Sequence, residues 1–123
     1  MSNKQHAAGF LSLVQAAKKH VEEVDAAELP DLLKRNPKAA LIDVREDQEY
    51  AAGHVRGAEH IGKGVIERDI EAAHPDKSQT LYLYCGGGFR SALAADALRQ
   101  MGYVHAVTVD GGWRALQALL PCE

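Results

Sequence analysis

With 123 residues, the chain has room for one domain and too little for two. Acidic residues outnumber basic ones, 17 to 14, and the resulting net charge of −3 excludes the basic face that nucleic acid or an anionic membrane surface requires. A content of 46% hydrophobic and 25% charged residues is ordinary for a globular protein.

Residues 1–20 are read as an amphipathic helix packed on a domain formed by 21–123. Within 7–20, Phe10, Leu13, Val14 and Ala17, followed by Val21, recur at three- and four-residue spacings. The same stretch is interrupted by Ser12, Gln15 and two lysines, so it lacks a signal peptide's apolar centre and the chain is expected in the cytoplasm. No apolar run nears the roughly 20 residues of a membrane span. A short strand over 21–24 follows. Asp25 and Glu28 form a capping box for a helix over about 26–35, closed by Asn36 and Pro37.

AALIDV (39–44) reads as a strand ending in a carboxylate, followed by a short helix over 46–52 that stops at Gly53. A further helix spans 64–73, ended by His74 and Pro75. TLYLY (80–84) is a β-rich run that halts at Cys85. A helix within 90–101 closes at Gly102, a strand covers 104–109, and a last helix over 111–120 stops at Pro121. This alternation predicts an α/β domain with a mostly parallel sheet covered on both faces. Sites in such sheets form beyond the carboxyl ends of strands. Three polar clusters fall there: Asp43–Arg45, Cys85–Ser91 and Asp110–Gly112.

The loop CGGGFRS (85–91) carries the chemistry. Cys85 sits at a strand tip, and Gly86, Gly87 and Gly88 allow positive φ angles and a tight curl whose amides converge on one point. The following helix contributes its positive end, and Arg90 a permanent charge. All three stabilise negative charge on the sulfur, the condition for a nucleophilic cysteine. Cys85 and Arg90 form C-x4-R, whereas cysteine phosphatases and related arsenate reductases use C-x5-R, and Ser91 stands where their arginine would be. A smaller cup suits a cysteine carrying one extra sulfur. The chain's two cysteines, Cys85 and Cys122, lack metal-ligand spacing, and no metal is expected.

Three segments in order resemble the rhodanese family: LIDVREDQEYAAGHVRGAEHI (41–61), LYCGGGFRSALAADAL (83–98) and VDGGWRAL (109–116). The resemblance runs through about residues 21–120. It implies a three-layer domain with about five parallel strands and sulfur transfer by double displacement, with no cofactor. Cys85 would take the outer sulfur of a small sulfur-containing anion such as thiosulfate and become a persulfide. A thiol or cyanide would then accept that sulfur. A persulfide relay fed by a partner protein, an arsenate reductase or phosphatase on the same fold, and a non-catalytic binding module stand as alternatives. Two departures, Arg56 and Gly62 in place of frequent prolines, fall in a turn away from the sulfur. Gly86 and Gly87 replace larger side chains that often tune donor choice.

Around Cys85, the backbone of Gly86, Gly87, Gly88, Phe89 and Arg90 is expected to cradle the substrate anion, with Phe89 lining the mouth. Arg45 is expected to pair with Glu46 or Glu49, and Asp43 to accept bonds from loop amides. Ser91 is read either as a helix cap or as a hydrogen-bond partner of the persulfide. His54 and His60 are expected to be satisfied by backbone, Trp113 by packing, and Cys122 to be an uninvolved surface cysteine.

Overall fold

The computed structural model describes residues 6–123. Five strands, β1 (Glu22–Asp25), β2 (Ala40–Asp43), β3 (Glu59–His60), β4 (Leu81–Tyr84) and β5 (Ala106–Asp110), form one sheet in the order β1-β5-β4-β2-β3. Every neighbouring pair is parallel. The helices are α1 (Ala8–Lys18), α2 (Leu29–Arg35), α3 (Asp47–Ala52), α4 (Ile66–Ala73), α5 (Phe89–Gln100) and α6 (Gly112–Leu116). The α/β architecture is the one the sequence predicts. β3 is the element missed: two residues are too short for any pattern to announce. The last helix is shorter than expected, and the helix expected at 26–35 opens with a 3-10 turn over Ala26–Glu28. That turn carries the Asp25–Glu28 capping box, and α3 carries a second one between Glu46 and Glu49.

Alternation along the strands builds two cores. Leu81, Leu83 and Cys85 face one, with Ile42, Val44, Ile66, Ile70, Ala95 and Leu98. Tyr82 and Tyr84 face the other, with Leu29, Leu41, Val55, Val107, Val109 and Leu116. The same period that buries Leu83 on the α5 side therefore turns Cys85 toward the start of α5. β4 lies at the centre of the sheet, fully buried, so Cys85 emerges between the chain ends of β2 and β5.

α1 lies on α5, outside the sheet layers. Val14 and Ala17 are buried in that contact, but Leu13 is 63% exposed and does not belong to the apolar face its spacing predicts. The proposed division between 1–20 and 21–123 starts in residues outside the described range. Among the described residues no helix is long and apolar enough to cross a membrane.

Candidate active site

Cys85 is 1% exposed at the base of its loop. Its sulfur accepts hydrogen bonds from the Gly88 amide at 3.1 Å and the Ser91 amide at 3.4 Å. The Ser91 hydroxyl lies 3.5 Å away, and it also bonds the Thr108 hydroxyl of β5 at 2.8 Å. Ser91 is thus a partner of the sulfur, and Gly88, with no side chain to offer, is the residue that precedes α5.

Of the three loop glycines only Gly88 takes a left-handed φ, +111°. The expectation that all three serve backbone curvature is corrected here. Gly86 and Gly87 instead leave room for two arginine side chains. A Cβ at Gly86 would lie 3.3 Å from Arg90 Nη2, and one at Gly87 would lie 3.3 Å from Arg114 Nη1. The two glycines let two guanidiniums press against the loop backbone.

The loop is held by its carbonyls. Trp113 N–H donates to the Cys85 carbonyl at 2.7 Å, Arg114 N–H to Gly86 at 3.2 Å and Gly111 N–H to Gly87 at 3.2 Å. The turn into α6 therefore binds one edge of the loop, and the opposite edge supplies the amides that reach the sulfur. The close approach needs glycine at 112. Its φ is +50°, and a Cβ there would collide with the Cys85 carbonyl oxygen and lie 2.9 Å from the Gly86 carbonyl carbon.

Arg90 makes a two-point ion pair with Glu49 of α3, at 2.9 and 3.2 Å. The hydrogen bonds from Arg90 hold the Glu49 carboxyl down at about 2. The same pair, with the Cys85 sulfur nearby, holds the Arg90 guanidinium above its ordinary value. Arg45 does not pair with Glu46 or Glu49 as expected. Its guanidinium and backbone amide bind Asp43, with the Arg45 Nη2 to Asp43 contact at 2.8 Å, and Nη2 also donates to the Gly53 carbonyl at 2.7 Å. Both residues are buried, so the pair forms where a carboxylate on β2 needs a cation in a water-poor setting. Burial works against the Arg45 charge, and the bonds to Asp43 outweigh it. Asp43 accordingly accepts from the amide of Arg45 rather than from the cysteine loop.

Trp113 packs against this pair. The Arg45 guanidinium lies 4.8 Å from its ring, and a Cβ at Gly53 would touch its edge at 3.4 Å. His54 donates to the Tyr50 carbonyl at 2.9 Å and His60 to the Arg45 carbonyl at 2.8 Å, the backbone satisfaction expected of them. Cys122 is half-buried beside Val55, its thiol directed to the Leu120 carbonyl at 3.3 Å. Among the described residues, no cluster of His, Cys, Asp and Glu has the form of a metal site.

Above Cys85 opens a cleft of about 380 Å³. Gly86, Gly87, Phe89 and Arg90 form its loop side and Arg114 of α6 its rim. His6, Ala7 and Phe10, in and just before α1, form its roof.

A family model for the rhodanese-like domain matches residues 25–119. The chain belongs to the rhodanese-like family. The probable adenylyltransferase/sulfurtransferase MoeZ of Mycobacterium tuberculosis (strain CDC 1551 / Oshkosh) is 40% identical over 85 residues, which is 69% of this chain and 22% of that protein. This chain thus spans under a quarter of that relative's length. The thiosulfate sulfurtransferase GlpE of Pseudomonas putida (strain GB-1) is 32% identical over 91 residues, covering 74% of this chain and 81% of that one. Among solved structures, RPA3614 of Rhodopseudomonas palustris CGA009, a protein of unknown function described as a possible tyrosine phosphatase, superposes with a TM-score of 0.85. It is 25% identical, covering 97% of this chain and 98% of that one.

In this rhodanese-like domain the matched segment contains Cys85, its loop, Arg45, Ser91 and Arg114, but not the roof. Arg114 was missed in the sequence because an arginine one residue past Gly-Gly-Trp reads as part of a helix. Thr108 was missed, and Glu49 was assigned to Arg45 instead of Arg90, because nothing local in a strand threonine or a helix glutamate marks a long-range partner. Phe10 carried the one signal that was available, an apolar spacing, which was assigned wholly to packing, and His6 lies outside that spacing.

Proposed function

We propose that the chain is a sulfurtransferase in which Cys85 carries a sulfane sulfur as a persulfide. The observation that carries this reading is the set of donors on the Cys85 sulfur itself, the amides of Gly88 and Ser91. They stabilise charge on that atom when it attacks and again when it departs. In the first step the Cys85 thiolate attacks the outer sulfur of an anion such as thiosulfate. A sulfur–sulfur bond forms, the bond to the sulfonate sulfur breaks, and sulfite leaves with the electron pair. In the second, a thiol or cyanide attacks the outer sulfur of the persulfide, and Cys85 departs as the thiolate. The Ser91 hydroxyl, 3.5 Å from the sulfur, adds a further partner to the departing charge. The names of MoeZ and GlpE support transferase chemistry for the shared domain.

The description of RPA3614 favours a second reading, cysteine-based phosphoester hydrolysis. Against it stand the four-residue spacing to Arg90 and the engagement of Ser91 with Thr108. The two separate in one assay. The protein is expected to form thiocyanate from thiosulfate and cyanide, to leave p-nitrophenyl phosphate intact, and to lose transfer on Cys85→Ser. Phosphate release exceeding thiocyanate formation would reverse the reading.

A further inference from the structure

A thiosulfate ion fills only a small part of the cleft above Cys85, whose volume of about 380 Å³ falls within the roughly 300–1,000 Å³ of sites that bind whole small molecules. Its walls are of two kinds. Arg90 and Arg114 line the cleft together with Cys85, each close enough to the loop that a Cβ on the glycine beneath would lie 3.3 Å from its guanidinium. Farther out, three rings meet: His6 and Phe89 edge to face at 4.8 Å, Phe10 and Phe89 edge to face at 6.3 Å, and His6 and Phe10 at 5.2 Å. Phe10 and Phe89 are only half-buried, so this cluster presents apolar surface to the cleft and is not closed into the core. Two of the three rings come from the N-terminal segment, outside the residues 25–119 that match the family model. The ring wall is thus a feature this chain adds to the shared domain.

Resting on the sulfur-transfer reading, we propose that His6, Phe10 and Phe89 form a subsite that gives this chain a preference for thiosulfonate-type donors whose sulfane sulfur is carried on a flat apolar group. Cys85 thiolate attacks the outer sulfur of R–SO2–S⁻. The new sulfur–sulfur bond forms as the bond to the sulfonyl sulfur breaks, and R–SO2⁻ leaves with the electron pair. The negative charge of the outer sulfur stays on the persulfide. Arg90 and Arg114 face the departing sulfinate, whose charge grows as the bond breaks, and the rings hold the apolar remainder. Phe10 is a specificity residue in this scheme and takes no part in bond making.

The measurement is kcat/KM for benzenethiosulfonate, methanethiosulfonate and thiosulfate, with cyanide as acceptor, on the whole chain. The wild type is expected to prefer the aryl over the methyl thiosulfonate. Phe10→Ala should lower that preference by about 3- to 10-fold, the range for losing one aromatic contact. Leu13→Ala, on the same helix but facing solvent, should leave it unchanged and so controls for disturbance of α1. Transfer from thiosulfate with no aryl preference in the wild type, or an equal loss on Leu13→Ala, would overturn the subsite and leave the sulfur chemistry standing. No transfer from any of the three donors would overturn both.

Discussion

Gly112 and Gly88 show how single residues shape the candidate site. Gly88 takes a left-handed φ of +111° so that its amide reaches the Cys85 sulfur at 3.1 Å. Gly112 lets the turn into α6 approach the loop closely enough for three amide–carbonyl bonds. Gly112→Ala is therefore expected to displace the loop and cost about 100-fold in transfer rate, the effect of a misplacement near 1 Å. Gly64→Ala, where nothing lies within 4 Å and φ is not left-handed, should leave the rate unchanged in the same assay. Equal rates for the two variants would contradict the clamp. At this scale the cysteine and its donors were legible in CGGGFRS, because a nucleophile, flexible backbone and helix start are adjacent in the chain. The crowding over Gly86 and Gly87 was not, because the guanidiniums that lie against them come from Arg90 and from Arg114, 27 residues beyond Gly87 in the numbering of the chain.

Between elements, two arginine–carboxylate pairs fix the surroundings of the loop. Arg45 binds Asp43 at the end of β2 and the carbonyl of Gly53 after α3, while its face meets Trp113 of α6. Replacing it by methionine strands the fully buried Asp43, and a destabilisation of about 3–5 kcal/mol is expected by chemical denaturation. The second pair, Glu49 and Arg90, joins α3 to the start of α5. The Arg90 hydrogen bonds hold the Glu49 carboxyl down to about 2, well below its ordinary value of 4.5. A carboxylate lowered on folding stabilises the folded state above its unfolded value, and that contribution disappears as pH falls through the folded one. The wild type should therefore lose stability more steeply than Glu49→Gln between about pH 4.5 and pH 2, in denaturation midpoints measured across that window. Parallel profiles would show that the pair contributes nothing. Partner choice was the hardest feature to read from the sequence. Arg45 has three acidic neighbours in the next four positions, Glu46, Asp47 and Glu49, yet burial at the strand end commits it to Asp43 two residues back.

At the scale of the whole molecule, the parallel sheet gathers the ends of β2, β4 and β5 at one edge, and the chemistry collects there. Four of the five strands were legible, since Leu81–Tyr84 and its neighbours are apolar, β-branched or aromatic and bounded by turns. β3 was not, because its two residues, Glu59 and His60, are held by pairing with Ile42 and Asp43 and by nothing in their own pattern. The role of α1 was only half legible. Spacing predicts a packed helix, and Val14 and Ala17 pack, but the contribution of Phe10 to a cleft formed by residues 75 or more positions away depends on tertiary folding alone. All of this converges on one atom, the sulfur of Cys85. The most direct measurement is intact-mass spectrometry of the reduced protein after incubation with thiosulfate and removal of excess donor. A gain equal to one sulfur atom is expected on the wild type, reversed by cyanide and absent from Cys85→Ser. A folded, reduced wild type that gains no sulfur from thiosulfate or from an organic thiosulfonate, or a Cys85→Ser variant that gains it equally, would contradict it.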